Sequence, residues 1–145
     1  MARLFASFFG TGLIPRKVRG ADAGAGTVAS LVAFGIGQLL PPLWGRLTAL
    51  GVCILLGAWA IGQVATSDED PGWVVIDEAA GTFLATIGLG LGPALIALAI
   101  FRLADIQKHW FPGVRAAERL SGGIIADDLV AGAYGLAAGW LIQAL

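Results

Sequence analysis

Apolar residues in this chain run in long uncharged stretches, and the carboxylates stand only at the edges of those stretches. Between Asp22 and Asp68 there is no acid, and the only charge is Arg46. Residues 79–101 and 129–145 carry no charge. The acids gather instead as Asp68-Glu69-Asp70, Asp77-Glu78, Asp105 and Asp127-Asp128. Carboxylates this close repel one another unless they are protonated or bridged by a cation. The pattern predicts an all-α fold, a multi-pass membrane helical bundle with a cation site at one end.

The elements follow from the same pattern. Ala2–Ile14 reads as a short amphipathic or interfacial helix, and Arg16-Lys17-Val18-Arg19-Gly20 as a basic loop at the headgroup surface. Residues 21–26 are small and flexible. Thr27–Leu40 reads as a helix stopped by Pro41-Pro42. Leu47–Ala65 is a second helix of 19 uncharged residues, long enough for the ~30 Å hydrocarbon core. Thr66–Pro71 is an acidic turn, and Pro71-Gly72 a turn signal. Phe111–Gly123 is a polar loop. Ile124–Leu145 is the last helix, with Ala131, Gly132, Gly135, Ala138 and Gly139 spaced for close packing on a neighbour.

Residues 79–101 admit two readings. They could span once, or Gly88-Leu89-Gly90-Leu91-Gly92-Pro93 could break them into a hairpin, Ile76–Ile87 down and Pro93–Lys108 back. With the N-terminal basic loop in the cytoplasm, a single span leaves four basic residues on that side and five on the other. A hairpin puts eight of the nine on the cytoplasmic side and leaves only Arg46 outside, as the positive-inside tendency favours. It also brings Asp77-Glu78, Asp105 and Asp127-Asp128 to one end. Arms of about twelve residues rise only ~18 Å, so they would be re-entrant or buried among longer helices.

Composition narrows the class. The chain has 145 residues, enough for one domain over 1–145, with 1–26 as the interfacial helix and basic loop and 27–145 as the bundle. Charged residues make up 13%, against about 25% in typical soluble proteins, and the mean hydropathy is +0.82. A net charge of −1 gives no case for a nucleic-acid partner. The lone Cys53 excludes an intrachain disulfide and a cysteine zinc cluster. The first residues do not read as a signal peptide, because Arg16-Lys17 follows a short apolar run where a small-residue cleavage site would stand. Trp44, Trp73 and Trp110 sit at stretch edges, as interfacial anchors do.

Each polar group has a structural and a chemical reading. Asp77-Glu78 and Asp127-Asp128 could cap helices and favour their N-terminal dipoles, or present oxygens to a hard cation such as Mg2+. Arg102, Asp105, Lys108 and His109 are three or four apart and would share a helix face. They could form a surface ion pair, or Asp105 could bind metal while Arg102 and Lys108 hold phosphate oxygens. Gly24–Ser30 is a small-residue helix start in which Thr27 would be the N-cap; helix N-termini also bind phosphate, though no Walker lysine follows. His109 is the only histidine, so a histidine-rich metal site is excluded.

Four pieces of the chain, in order, resemble the phosphatidylglycerophosphatase A family of bacterial membrane lipid phosphatases. They are Gly10-Thr11-Gly12 with Ala25–Ser30; Asp70-Pro71-Gly72 leading to Val75-Ile76-Asp77-Glu78 and Gly81; Phe101–Lys108 with Trp110; and Gly122-Gly123 leading to Asp127-Asp128 and Ala131-Gly132. Ala25 and Ala29 stand where the family has proline and glycine, and His109 where it has proline. The resemblance implies Mg2+-dependent hydrolysis of phosphatidylglycerophosphate to phosphatidylglycerol and phosphate, at the cytoplasmic face of the bacterial inner membrane. It implies a metal site of Asp77, Glu78, Asp105, Asp127 and Asp128, with Asp77, Asp105, Lys108 and Asp128 catalytic. Thr27, Ser30, Arg102, Lys108 and Arg119 would bind the phospholipid substrate. Attack by water and an aspartyl-phosphate at Asp105 or Asp77 both remain open. On the residues alone, a small ion- or proton-coupled transport subunit is the rival, since intramembrane acids often line proton paths; a scaffold whose acids only cap helices is the third reading.

Overall fold

The computed structural model describes residues 1–64, 71–117, 119 and 123–145, so the Asp68-Glu69-Asp70 turn and Gly122 lie outside the described residues. The described residues form helices and no strand. They are α1 (Ala2–Ala6), a 3-10 turn (Thr11–Leu13), α2 (Ile14–Arg19), α3 (Ala25–Leu39), α4 (Trp44–Val64), α5 (Ile76–Ala85), α6 (Leu91–Ile106), α7 (Val114–Ala117) and α8 (Gly123–Gln143).

The N-terminal region corrects the expected single helix. Phe8 and Phe9 take positive φ of 45° and 57°, and Gly10 takes 90°. The chain therefore reverses after α1, with the Gly10 amide donating to Ser7 Oγ at 3.1 Å. The expected basic loop is instead α2, with Pro15 in its first turn and Gly20 at φ 72° as its end. α3 starts two residues before Thr27, so Gly24 and not Thr27 holds the cap position. It ends at Leu39 because Leu40, before Pro41, is driven to extended backbone.

Residues 79–101 form the hairpin. α5 and α6 are separated by 86–90, and Pro93 falls in the first turn of α6, where its missing N–H costs nothing. Both arms pack on α8, and its glycines permit the approach. A Cβ on Gly132 would lie 2.7 Å from Gly81 O, and one on Gly135 would lie 2.5 Å from Ala97 O. α3 and α4 cover the other side of α5, with Ala29, Ala33, Cys53, Ala80 and Phe83 in the shared core.

The far end of the hairpin is closed by Arg46. Arg46 lies at the end opposite the acids; it belongs to α4, which starts at Trp44 and not at Leu47 as expected, and it is only 3% exposed. Its Nε donates to Gly37 O at 2.9 Å, and its Nη1 to Thr86 O and to Leu89 O at 3.0 Å. Nη2 donates to Gln38 Oε1 at 3.3 Å. One guanidinium thus satisfies the carbonyls at the C-terminal ends of α3 and α5 and of the turn between the arms. Trp140 and Gln143, at the end of α8, bond the same turn at Ile87 O, Gly88 O and the Gly90 amide. The starts of α3, α5 and α8 and the end of α6 consequently share the opposite end.

The outside of the bundle is apolar. Val52, Leu55 and Trp59 of α4 and Trp140 and Leu141 of α8 are exposed, as on surfaces that face lipid. Two helices, Trp44–Val64 and Ile125–Gln143, are long and apolar enough to cross a membrane.

Candidate active site

Three helices deliver the acids to one end. Asp77 and Glu78 stand in the first turn of α5, but the N-cap position is Val75 and no side chain caps the helix. Their capping reading is therefore corrected, although their charge still suits the helix N-terminus. α8 begins at Gly123, which puts Asp127 and Asp128 in its second turn. They are not caps either. Asp105 lies in the last turn of α6, which ends at Ile106 with Gln107 as its C-cap. Lys108 and His109 therefore sit in the turn beyond, not on the continuous helix face expected for them.

The acids converge in two groups. One oxygen each from Asp77, Glu78 and Asp128 lie within 4.8 Å of one another, and so do oxygens from Asp105, Asp127 and Asp128. Asp128 belongs to both groups. Asp77, Asp127 and Asp128 are 7%, 5% and 3% exposed. Arg102 pairs with Asp105 at 2.7 Å, and Lys108 Nζ with Asp127 Oδ2 at 2.5 Å. This is not the exposed surface pair the spacing allowed, since the Arg102 and Asp105 side chains are only 17% and 15% exposed. Burial pushes the Glu78 carboxyl above the usual carboxylate range, partly offset by Asp77 as a hydrogen-bond partner and by the charge of Arg102.

Two cations facing five acids leave buried negative charge to compensate. Glu78 Oε2 and Asp127 Oδ1 are buried and lack a hydrogen-bond partner among the described residues. One such oxygen stands in a residue of each group, which fits a hard divalent cation that takes oxygen ligands from several side chains.

Glycines let the elements close on this cluster. A Cβ on Gly26, in the first turn of α3, would collide with Glu78 Oε1 and lie 3.0 Å from Arg102 Nη2. A Cβ on Gly81 would lie 2.6 Å from the Phe101 ring and 2.9 Å from Asp128 O. The role of Gly26 was not legible from its position; only the small-residue run at 24–30 hinted at close approach.

The other expected residues lie around the cluster, not within it. Thr27 is exposed and lines a largely apolar cleft of about 410 Å3 with Ile14, Pro15 and Val18. Ser30 is buried, one turn beyond Gly26, and its hydroxyl lacks a partner among the described residues. Arg119 lines a second cleft, of about 350 Å3, together with Lys108, His109 and Arg115. Sequence reasoning did not single out Arg115.

Comparison with known proteins adds an independent line. The model of the phosphatidylglycerophosphatase A family matches residues 4–143. A protein of Bacteroides thetaiotaomicron, provisionally named phosphatidylinositol-3-phosphatase, is 30% identical over 142 residues, covering 90% of this chain and 86% of the relative. No solved structure matches the chain. With a family match that runs through α1 to α8 and takes in every acid of the buried cluster, the chain belongs to the phosphatidylglycerophosphatase A family.

Proposed function

We propose that this protein is a Mg2+-dependent phosphatase that hydrolyses phosphatidylglycerophosphate to phosphatidylglycerol and phosphate. The observation that supports it most is the convergence of Asp77, Glu78, Asp105, Asp127 and Asp128 with Arg102 and Lys108 at one end of the bundle. The five carboxylates would hold Mg2+, which when bound supplies charge neutralisation at the phosphate and a more acidic water. Lys108 and Arg102 neutralise charge that develops on the phosphoryl oxygens. Thr27, Ser30 and Arg119 contribute to headgroup binding from the periphery. The whole chain acts as one membrane-embedded domain, multi-pass in the bacterial cytoplasmic membrane. The acid end faces the cytoplasm, where its neighbours Arg16, Lys17, Arg115 and Arg119 suit the anionic surface.

A second substrate has a specific warrant in the name of the Bacteroides relative, which points to a phosphomonoester on an inositol lipid. The test is phosphate release by purified protein from phosphatidylglycerophosphate and from phosphatidylinositol 3-phosphate, with Mg2+ and with EDTA. Mg2+-dependent release from the first, lost in Asp105→Asn, is the expected result. Release from the inositol lipid alone would move the substrate assignment, and release from neither by folded protein would end the phosphatase reading. Trapping of a phosphoenzyme, set against solvent 18O labelling of the released phosphate, separates a carboxylate nucleophile from water.

A further inference from the structure

We propose that the cleft formed by Lys108, His109, Arg115 and Arg119 is a second anion site, which takes the phosphodiester of a lipid whose phosphomonoester lies at the carboxylate cluster. This rests on reading that cluster as the phosphatase centre.

Four observations carry it. First, Lys108 belongs to both places: it lines the cleft, and its Nζ contacts Asp127 of the cluster. An anion in the cleft is therefore next door to one at the acids, within reach of a short polyol link between two phosphates. Second, the cleft brings the guanidinium groups of Arg115 and Arg119 beside Lys108 and His109. Arg115 and Arg119 are exposed, and neither has an ion pair among the described residues. Like charges drawn to one cleft repel unless an anion joins them, and a guanidinium matches phosphate oxygens in a bidentate fork.

Third, the wall of the cleft is fixed. Tyr134 of α8 donates to Pro112 O at 2.8 Å, and its ring meets Phe111 edge-on with centroids 5.2 Å apart. Val114 is fully buried, and the Ala117 amide donates to Gly113 O at 2.8 Å. Helix α7, which carries Arg115, is thereby tied to the same helix that carries Asp127 and Asp128. Fourth, the cleft differs in kind from its apolar counterpart beside Thr27, which no charged side chain lines.

The consequence is selectivity. A lipid with one phosphate fills only the carboxylate cluster, whereas a headgroup with a monoester and a diester fills both sites. The competing account is that these side chains only attract the protein to an anionic bilayer.

The experiment uses full-length protein in micelles of neutral detergent, and measures kcat/KM for phosphatidylglycerophosphate and for phosphatidic acid. Arg115→Ala and Arg119→Ala should each lower kcat/KM for the two-phosphate lipid by about tenfold, mainly through KM, since each removes a charge-assisted hydrogen bond. The loss on phosphatidic acid should be much smaller, so the preference between the lipids narrows and in the double variant disappears. Arg115→Lys should restore part of it, and Arg16→Ala, which removes an exposed charge elsewhere, should leave the preference as it is. An unchanged preference in the double variant overturns the second site while leaving the phosphatase intact. Equal losses on both lipids, shared by Arg16→Ala, overturn it in favour of surface attraction. A parent protein that hydrolyses neither lipid ends the phosphatase reading and this site with it.

Discussion

Removing the guanidinium of Arg46 should unlatch the end of the bundle opposite the acids. In Arg46→Met the side chain keeps its approximate length and loses every donor. Gly37 O, Thr86 O and Leu89 O then lose their partner, while Gln38, only half-buried, can turn away. A buried carbonyl left unsatisfied costs about 1–3 kcal/mol. Three of them set a lower figure of about 3 kcal/mol, partly offset because no charge need be buried. For a chain of this size that is a fall in apparent Tm of about 10 °C. Arg46→Lys keeps the charge near the two helix C-termini but brings one ammonium where the guanidinium reached four acceptors, so it should fall between parent and Met. The assay is thermal unfolding in detergent at a matched scan rate, with thiol labelling of a cysteine placed at Gly90 to report opening of the turn. A Met variant within about 2 °C of the parent, with Gly90 no more accessible, would refute the latch, since the stated cost of the orphaned carbonyls would then be absent.

Other perturbations address the acid end. Gly26→Ala places a methyl against Glu78 and Arg102; activity and Mg2+ affinity should fall at least tenfold while the far-end latch stays closed, by an overpacking cost of about 1–3 kcal/mol. Gly132→Ala must part α8 from Gly81 O, so it should weaken Mg2+ binding measured calorimetrically even though alanine is the better helix former; unchanged affinity would show that this contact does not set the acid spacing. Asp77→Asn, Asp105→Asn and Asp128→Asn should each lower turnover about a hundredfold or more with the protein still folded, and near-normal turnover would remove that residue from the site. Lys108→Ala should lower kcat more than KM, because charge compensation matters most in the transition state; an effect on KM alone makes it a headgroup anchor.

The sequence carried the acid cluster because the hairpin brings carboxylate pairs from separate stretch edges to one end, and it carried the hairpin because Gly88 to Pro93 interrupts a run that basic-residue counting also asks to fold back. It did not carry the burial of Arg46. Charge counting addresses only which side of the membrane an arginine lies on, and two of the acceptors that make Arg46 a core residue lie 40 and 43 positions away. Nor did it carry the reversal after α1, where the left-handed residues are Phe8 and Phe9, types that seldom take positive φ. The expected Thr27 cap failed for a related reason: Gly24, at φ 87°, takes the left-handed turn that threonine does not favour.

The small residues of α5 and α8 connect packing to chemistry. The two helices approach closely where Gly81 meets the backbone of Asp128 and Gly132. Asp77 and Glu78 lie one turn before Gly81 on α5, and Asp128 lies one turn before Gly132 on α8. A crossing one turn from each acid pair leaves the carboxylates little room to separate, because a helix is stiff over so short a lever. The mutual repulsion of these buried acids is therefore held by backbone contact at the glycines. Arg46 acts at the other end of the same lever, fixing the turn from which α6 returns with Asp105. Cation affinity is on this account a property of helix spacing as much as of ligand identity, since larger side chains at Gly81 or Gly132 would leave every carboxylate present and the cluster too wide to share an ion.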